Sequence, residues 1–151
     1  PSKGELKLWY IGEIFQNNDF SPKMDHLVCF FSGTLALSYY HQSKNIQTIH
    51  GHVIDDKKLQ MHLKMAEDLA RTCHYMYNLT ETGLSPEIGY FGLNEGEPDY
   101  TIRPADTHNL LRPEFVESLF FLYHITGKQI YRDWGVQVRL HSPFLNHCFF
   151  Y

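Results

Sequence analysis

A short run of acidic, basic and aromatic residues around a proline is the segment best suited to chemistry. It reads Arg112-Pro113-Glu114-Phe115-Val116-Glu117-Ser118. Proline favours the first position of a helix, so Glu114 falls in a first turn, where free backbone N–H groups stabilise a carboxylate. Glu117 lies three residues further on and Phe121 seven, so both share a helix face with Glu114. An ionised carboxylate, a second carboxylate, a guanidinium and an aromatic ring together predict a sugar or cation site.

The same pattern has an ordinary explanation, because acidic residues favour helix N-termini for stability alone. On composition alone, this explanation is the stronger one. Ser85-Pro86-Glu87 repeats the serine–proline–acid pattern and predicts a second carboxylate at a helix start. Paired carboxylates carry out glycoside hydrolysis and also bind calcium, and their spacing does not choose between these roles.

The ten histidines do not form a metalloprotease-type pair with a nearby acid. His26 differs from the others, because it follows Asp25 in the first turn of a predicted helix. A structural hydrogen bond and a contact with a polar ligand both remain open for it. The sequence has no G-x-S-x-G, Walker A or G-x-G-x-x-G motif, and acids in the glycine-rich stretch 89–96 argue against phosphate binding.

The composition is that of one folded domain. The 151 residues are 43% hydrophobic and 20% charged, with a net charge of -4. This charge argues against a nucleic-acid partner. No apolar stretch approaches the length of a membrane-spanning helix, so we expect no membrane contact from this segment.

The three cysteines, Cys29, Cys73 and Cys148, are too few and too scattered for a zinc site. They allow at most one disulfide and leave one spare thiol. The glycosylation triplet Asn78-Leu79-Thr80 and a possible Cys29–Cys73 pair together favour a secretory compartment.

The elements that must position these residues are mostly helical. Leu6–Phe15 predicts a short strand, and Ser21-Pro22 predicts the start of a first helix that reaches about His41, with Gly33 as a weak point. Further helices are predicted over Lys57–Asn78, Arg112–Thr126 and Lys128–Val138, with a long polar insertion over Gln42–Asp56 and an extended piece over Tyr100–Arg103. Helices joined in pairs predict an all-α fold of helical hairpins with minor strands.

Four segments resemble signatures of glycoside hydrolase family 47, the class I α-1,2-mannosidases. They are Lys23–Phe30 with Gly33–Leu37, Thr82–Glu87, His108–Ser118 and Tyr131–Gly135. The resemblance covers about residues 1–138, apart from the insertion, and residues 139–151 read as a divergent tail. It implies part of an (α/α) barrel of helical hairpins, with an active site around a calcium ion.

The resemblance also implies a reaction, namely inverting hydrolysis of terminal α-1,2-linked mannose from high-mannose N-glycans, in glycoprotein processing and degradation. Glu114 matches the general base that activates the attacking water. His26 and Arg112 match residues that contact the sugar, and Glu87 and Glu117 match carboxylates that line the site. The three glutamates would hold the waters of the calcium ion.

Cys29 and Cys73 match the disulfide of the family, which leaves Cys148 unpaired. The implied location is the lumen of the endoplasmic reticulum, with a membrane anchor in the full-length protein.

The sequence also departs from the family pattern. The family's acid-side carboxylates, one of them in a Gly-Asp-Ser-Tyr-Tyr-Glu type motif, and its calcium-binding threonine, in an Asn-Thr-Glu-Ala-His type segment, have no counterpart here. We therefore expect a central slice of a larger domain, without turnover by the chain alone and with exposed apolar surface along its first and last helices. Two alternatives remain: a non-catalytic glycan-binding relative acting in quality control, and a helical repeat scaffold, for which no repeat period is visible.

Overall fold

The computed structural model describes residues 1–44 and 55–141, and four α-helices dominate this part of the chain. They are α1 (Phe30–Lys44), α2 (Asp56–Asn78), α3 (Glu114–Thr126) and α4 (Gln129–His141). The strands are β1 (Glu13–Ile14), β2 (Phe20–Ser21), β3 (Lys23–Asp25), β4 (Ile88–Phe91) and β5 (Tyr100–Thr101), and short 3-10 turns cover His26–Cys29 and Pro104–Asp106. The predicted mostly helical fold with minor strands is confirmed.

The helices pack as two connected pairs. Helix α1 contacts both α2 and α3, and α3 also contacts α4. The buried core between them contains Ala36, Ala66, Leu69, Ala70, Met76, Phe115, Leu119 and Leu122. Helix α3 is therefore central, since it contacts α1, α2 and α4.

Gly33 allows α1 and α3 to approach each other closely. A Cβ atom at this position would lie 2.9 Å from Oγ of Ser118 and 3.0 Å from its Cα. The Gly33 N–H donates to Ser118 Oγ at 3.0 Å, and that hydroxyl donates to the Cys29 carbonyl at 2.7 Å. Gly33, which the sequence predicts as a weak point of the first helix, thus lies where the two helices pack too closely for a larger side chain.

The structure also contains a three-stranded antiparallel sheet, in the order β3-β4-β5. Asp25 pairs with Ile88 in this sheet. The residue that follows β3 is His26 and the residue that precedes β4 is Glu87, so the register brings these two positions together.

The two helix starts predicted from serine–proline pairs are wrong. Ser21 ends β2, and the first α-helix begins only at Phe30, after the 3-10 turn. Ser85-Pro86 leads into β4. Proline is tolerated at the start of a strand as well as in a first helical turn, and here the β3–β4 pairing supplies the backbone hydrogen bonds that a helix would have supplied. Of the strand predicted over Leu6–Phe15, only Glu13–Ile14 is paired.

The predicted disulfide is present. Cys29 and Cys73 are bonded, with their Cα atoms 5.9 Å apart, and both are fully buried. The bond joins the 3-10 turn to α2. Cys148, most of the insertion and most of the tail lie outside the described residues.

Exposed apolar side chains are found along α4, as expected for the last helix. They are Ile130, Val136 and Leu140. On α1, the exposed large apolar side chain is Phe30. None of the helices in residues 1–44 and 55–141 combines the length and the apolar character that crossing a membrane requires.

Candidate active site

His26 lies in the interior, between the sheet and the helices. Its backbone N–H donates to the Glu87 carbonyl at 2.7 Å, which continues the β3–β4 pairing by one step. Its ring is fully buried, with Nε2 2.8 Å from the hydroxyl of Tyr77. Its Nδ1 is buried and has no hydrogen-bond partner. One ring nitrogen is therefore held by the protein and the other is left for a ligand or a water.

Glu87 is buried and held from several sides by one loop. Its backbone N–H donates to the carbonyls of Asp106 and His108, at 3.1 and 2.9 Å. Its Oε1 accepts from the Leu110 N–H at 2.9 Å, and its Oε2 lies 3.3 Å from Nη1 of Arg112. Both carboxylate oxygens therefore have partners, and the Arg112 guanidinium balances the buried negative charge.

The backbone just before Arg112 adopts an unusual conformation. Leu111 has a φ of 54°, in the left-handed region that a leucine rarely occupies. Its N–H donates to Oδ1 of Asn109 at 2.6 Å, and Nδ2 of Asn109 donates to the Ser85 carbonyl at 2.6 Å. Such a residue costs about 1–3 kcal/mol and persists where its surroundings fix it, often at a functional site. Here it directs the chain so that Arg112 reaches Glu87.

Glu114 is the first residue of α3 and is half-buried. Its Oε2 is buried and has no hydrogen-bond partner. Buried polar atoms are normally satisfied, so an unsatisfied carboxylate oxygen marks a place where a water, an ion or a ligand group belongs. Glu87 differs in this respect, because both of its carboxylate oxygens have partners within the protein.

Tyr77 connects these groups, and the sequence reasoning missed it. Its ring stacks on Phe115 with centroids 5.3 Å apart, while its hydroxyl meets His26. Burial raises the pKa of the Tyr77 hydroxyl, and the nearby charges of Glu114 and Glu87 raise it further. A signal was available, because Tyr77 lies four residues after Cys73 on the apolar stripe of its helix, and a buried tyrosine hydroxyl needs a partner.

The His26 ring is neutral near neutral pH. Burial lowers its pKa to about 4, the Glu87 charge opposes this effect, and the Arg112 charge adds to it. A neutral imidazole donates from one nitrogen and accepts at the other. It suits a sugar hydroxyl, which can donate and accept.

The chain is similar to known proteins over most of its length. The model of glycosyl hydrolase family 47 matches residues 1–143. The chain belongs to glycosyl hydrolase family 47. The resemblance carried by the four signature segments is therefore confirmed.

Individual relatives agree with the family match. The chain is 46% identical, over 134 residues, to the endoplasmic reticulum mannosyl-oligosaccharide 1,2-alpha-mannosidase of Homo sapiens, covering 87% of this chain and 17% of that protein. It is 48% identical, over 147 residues, to the mannosyl-oligosaccharide 1,2-alpha-mannosidase MNS3 of Arabidopsis thaliana, covering 87% of this chain and 23% of that protein. The chain thus spans less than a quarter of the length of these relatives.

A solved structure supports the fold. The alpha-1,2-mannosidase from Trichoderma reesei superposes with a TM-score of 0.67 at 20% identity, over 89% of this chain and 27% of that one. Its similarity indicates that the two helical pairs described here follow the arrangement of a family 47 protein.

The family 47 chain brings together four of the five residues predicted for its site: His26, Glu87, Arg112 and Glu114. The fifth, Glu117, is exposed one turn into α3, and nothing in the described contacts joins it to the others. Phe121, the ring predicted to lie near a sugar, packs against α1 instead. Its Cδ2 lies 3.3 Å from the place that a Cβ on Gly33 would occupy. The aromatic ring inside the cluster is that of Tyr77.

A direct metal-binding set is not found in the described part of this family 47 chain. Within residues 1–44 and 55–141, no group of three or more His, Cys, Asp or Glu side chains is arranged to hold a metal ion. The free oxygen of Glu114 has the hard-donor chemistry that calcium prefers, but it is one donor and calcium takes six to eight. The described residues therefore do not form a complete set of direct calcium ligands.

Proposed function

We propose that this chain forms part of a mannosidase that removes terminal α-1,2-linked mannose from oligomannose N-glycans, with inversion, in the lumen of the endoplasmic reticulum. Family membership supports the reaction class, and relatives named as endoplasmic reticulum mannosidases support the substrate and the location. The observation that carries the proposal is the buried, unpartnered Oε2 of Glu114. Tyr77, which lies near the charge of Glu114, connects it to the neutral His26 and to the Glu87–Arg112 pair.

In the proposed mechanism Glu114 is the general base. Its free oxygen accepts a hydrogen bond from the attacking water and takes the proton as the water adds to the anomeric carbon. In inverting enzymes the acid lies on the opposite side of the sugar, leaving room for this water. Nδ1 of His26 faces a sugar hydroxyl, and Arg112 contacts the substrate from its position against Glu87.

Calcium is the proposed cofactor. By resemblance to the family, Glu87, Glu114 and Glu117 would contact its coordinated waters. When bound, the ion would supply positive charge that polarises oxygen atoms of the substrate. No proton transfer in the mechanism above depends on it.

The test compares two variants of the complete protein that contains this chain. Glu114→Gln keeps the shape of the side chain but removes the base, so kcat for mannose release from an oligomannose should fall by roughly 10²–10⁴-fold. The matched control is Glu95→Gln, an exposed loop residue at which kcat should not change. NMR of the first-formed product should show β-mannose, as inversion requires.

Three outcomes would count against the proposal. Retention of activity by Glu114→Gln would exclude the assigned base, and first release of α-mannose would exclude inversion. Oligomannose binding without any mannose release by the complete protein would instead favour the non-catalytic glycan-binding relative. The 151-residue chain by itself is proposed to release no mannose, because its sequence lacks the acid-side motif of the family.

A further inference from the structure

The triplet Asn78-Leu79-Thr80 lies at the end of α2, outside the site cluster. Asn78 is the last residue of the helix and is exposed, and Leu79 is 45% exposed. The preceding residue, Tyr77, is buried and faces His26. At the end of α2, Tyr77 thus faces the site and Asn78 faces the solvent.

The two polar atoms of the Asn78 side chain have different roles. Its Oδ1 accepts a hydrogen bond from Nε2 of Gln137 on α4, at 2.6 Å. Its Nδ2 lies 3.3 Å from Nδ1 of His74, a longer contact at the surface. A substituent on Nδ2 keeps the amide oxygen and one N–H, so the bond to Gln137 is compatible with modification.

A second observation points to the compartment in which such a modification takes place. Cys73 lies five residues before Asn78 on the same helix and is oxidised to a disulfide with Cys29. Disulfides form in the oxidising secretory compartments, which is also where asparagine-linked glycans are added. The sequence contains no second Asn-x-Ser/Thr triplet, so any such modification has one acceptor.

We propose that Asn78 is an N-glycosylation site of this protein. The donor is a lipid-linked oligosaccharide diphosphate. A bond forms between Nδ2 and the anomeric carbon, the bond from that carbon to the diphosphate oxygen breaks, the lipid diphosphate leaves with its electron pair, and Nδ2 loses one proton. The glycan stands at the α2–α4 contact, where His74 stacks on Trp134 with centroids 4.2 Å apart.

The experiment expresses the chain behind a secretory leader in eukaryotic cells, with an appended acceptor triplet that reports passage through the glycosylating compartment. Chains that carry the appended glycan are digested, and the peptide containing Asn78 is analysed by mass spectrometry with and without enzymatic deglycosylation. We expect most of these chains to carry a glycan at Asn78. Thr80→Ala should abolish it, and Thr80→Ser, which keeps both the triplet and a hydroxyl, should retain it.

An unmodified Asn78 in chains whose appended triplet is glycosylated would overturn the proposal. Modification that persists in Thr80→Ala would overturn it as well, because the triplet would then not be what is recognised. Both readouts are independent of mannosidase activity, so this proposal and the proposed function fail separately.

Discussion

Reduction of the Cys29–Cys73 disulfide should lower the free energy of unfolding by about 4 kcal/mol. The two cysteines are 44 residues apart in sequence. For a loop of that length, the chain-entropy relation for a crosslinked unfolded state predicts about 4 kcal/mol at about 25 °C. Domains of ordinary stability have roughly 5–15 kcal/mol in total, so the bond contributes a large share of the free energy of unfolding.

The measurement is urea unfolding of the oxidised and the reduced chain, followed by tryptophan fluorescence. A Cys148→Ser background removes the third thiol and prevents disulfide exchange. Because Cys29 and Cys73 are fully buried, the bond is reduced in denaturant and the protein is refolded under reductant. This comparison changes one covalent bond and creates no cavity. Cys29→Ala/Cys73→Ala also removes two buried sulfur atoms and should therefore be less stable than the reduced chain.

A loss below about 1 kcal/mol at an unchanged slope of free energy against urea would refute this reasoning, since the predicted loss for a loop of this length is far larger. A Cys29→Ala/Cys73→Ala variant as stable as the reduced chain would refute the role assigned to packing around the two sulfur atoms.

Four further variants test the site and the core. Tyr77→Phe leaves Nε2 of His26 without its partner and should lower the free energy of unfolding by about 1–3 kcal/mol in urea; an unchanged value would refute the contact. The folded-state pKa of His26 is about 4, below its ordinary value of 6.5. The contribution of the buried neutral ring to the free energy of unfolding is therefore complete above pH 6.5 and is lost as the pH falls towards 4. The stability should decrease by about 3 kcal/mol over this interval, and His26→Gln should show a flatter profile. Gly33→Ala places a methyl group 2.9 Å from Ser118 Oγ and should destabilise by about 1–3 kcal/mol. Gly135→Ala, at a helical glycine with nothing within 4 Å, should stabilise by roughly 1 kcal/mol, and equal signs for the two alanines would contradict the packing argument.

The helices with local start and stop signals were predictable from the sequence. Helix α2 follows its apolar periodicity to within one residue of the predicted start. Helix α3 ends at Thr126, and the next residue, Gly127, has a φ of 70° and donates its N–H to the Tyr123 carbonyl at 2.8 Å. Periodicity and a left-handed glycine act over one or two turns, so the sequence near each helix contains the information.

The strands around the site were not predictable in the same way, because their partners are distant in sequence. Lys23–Asp25 becomes a strand through pairing with β4, more than sixty residues later. The serine–proline pairs before these strands have the same local signal as a helix start, and only the long-range pairing decides against it. The spacing from Cys73 indicates that Tyr77 is buried, but it does not indicate its partner His26, which is 51 residues away.

The correction at Glu87 changes how the site is understood. At a helix start, its carboxylate would have accepted hydrogen bonds from the free N–H groups of its own helix. At the start of β4, it accepts instead from the Leu110 N–H and pairs with Arg112, while its carbonyl accepts from the N–H of His26. One residue therefore joins all three signature segments that form the site, and a change at Glu87 should displace His26 and Arg112 together. Glu114 is not held by any of these bonds, and its unpartnered oxygen is positioned by α3 alone, which is compatible with the role of base proposed for it.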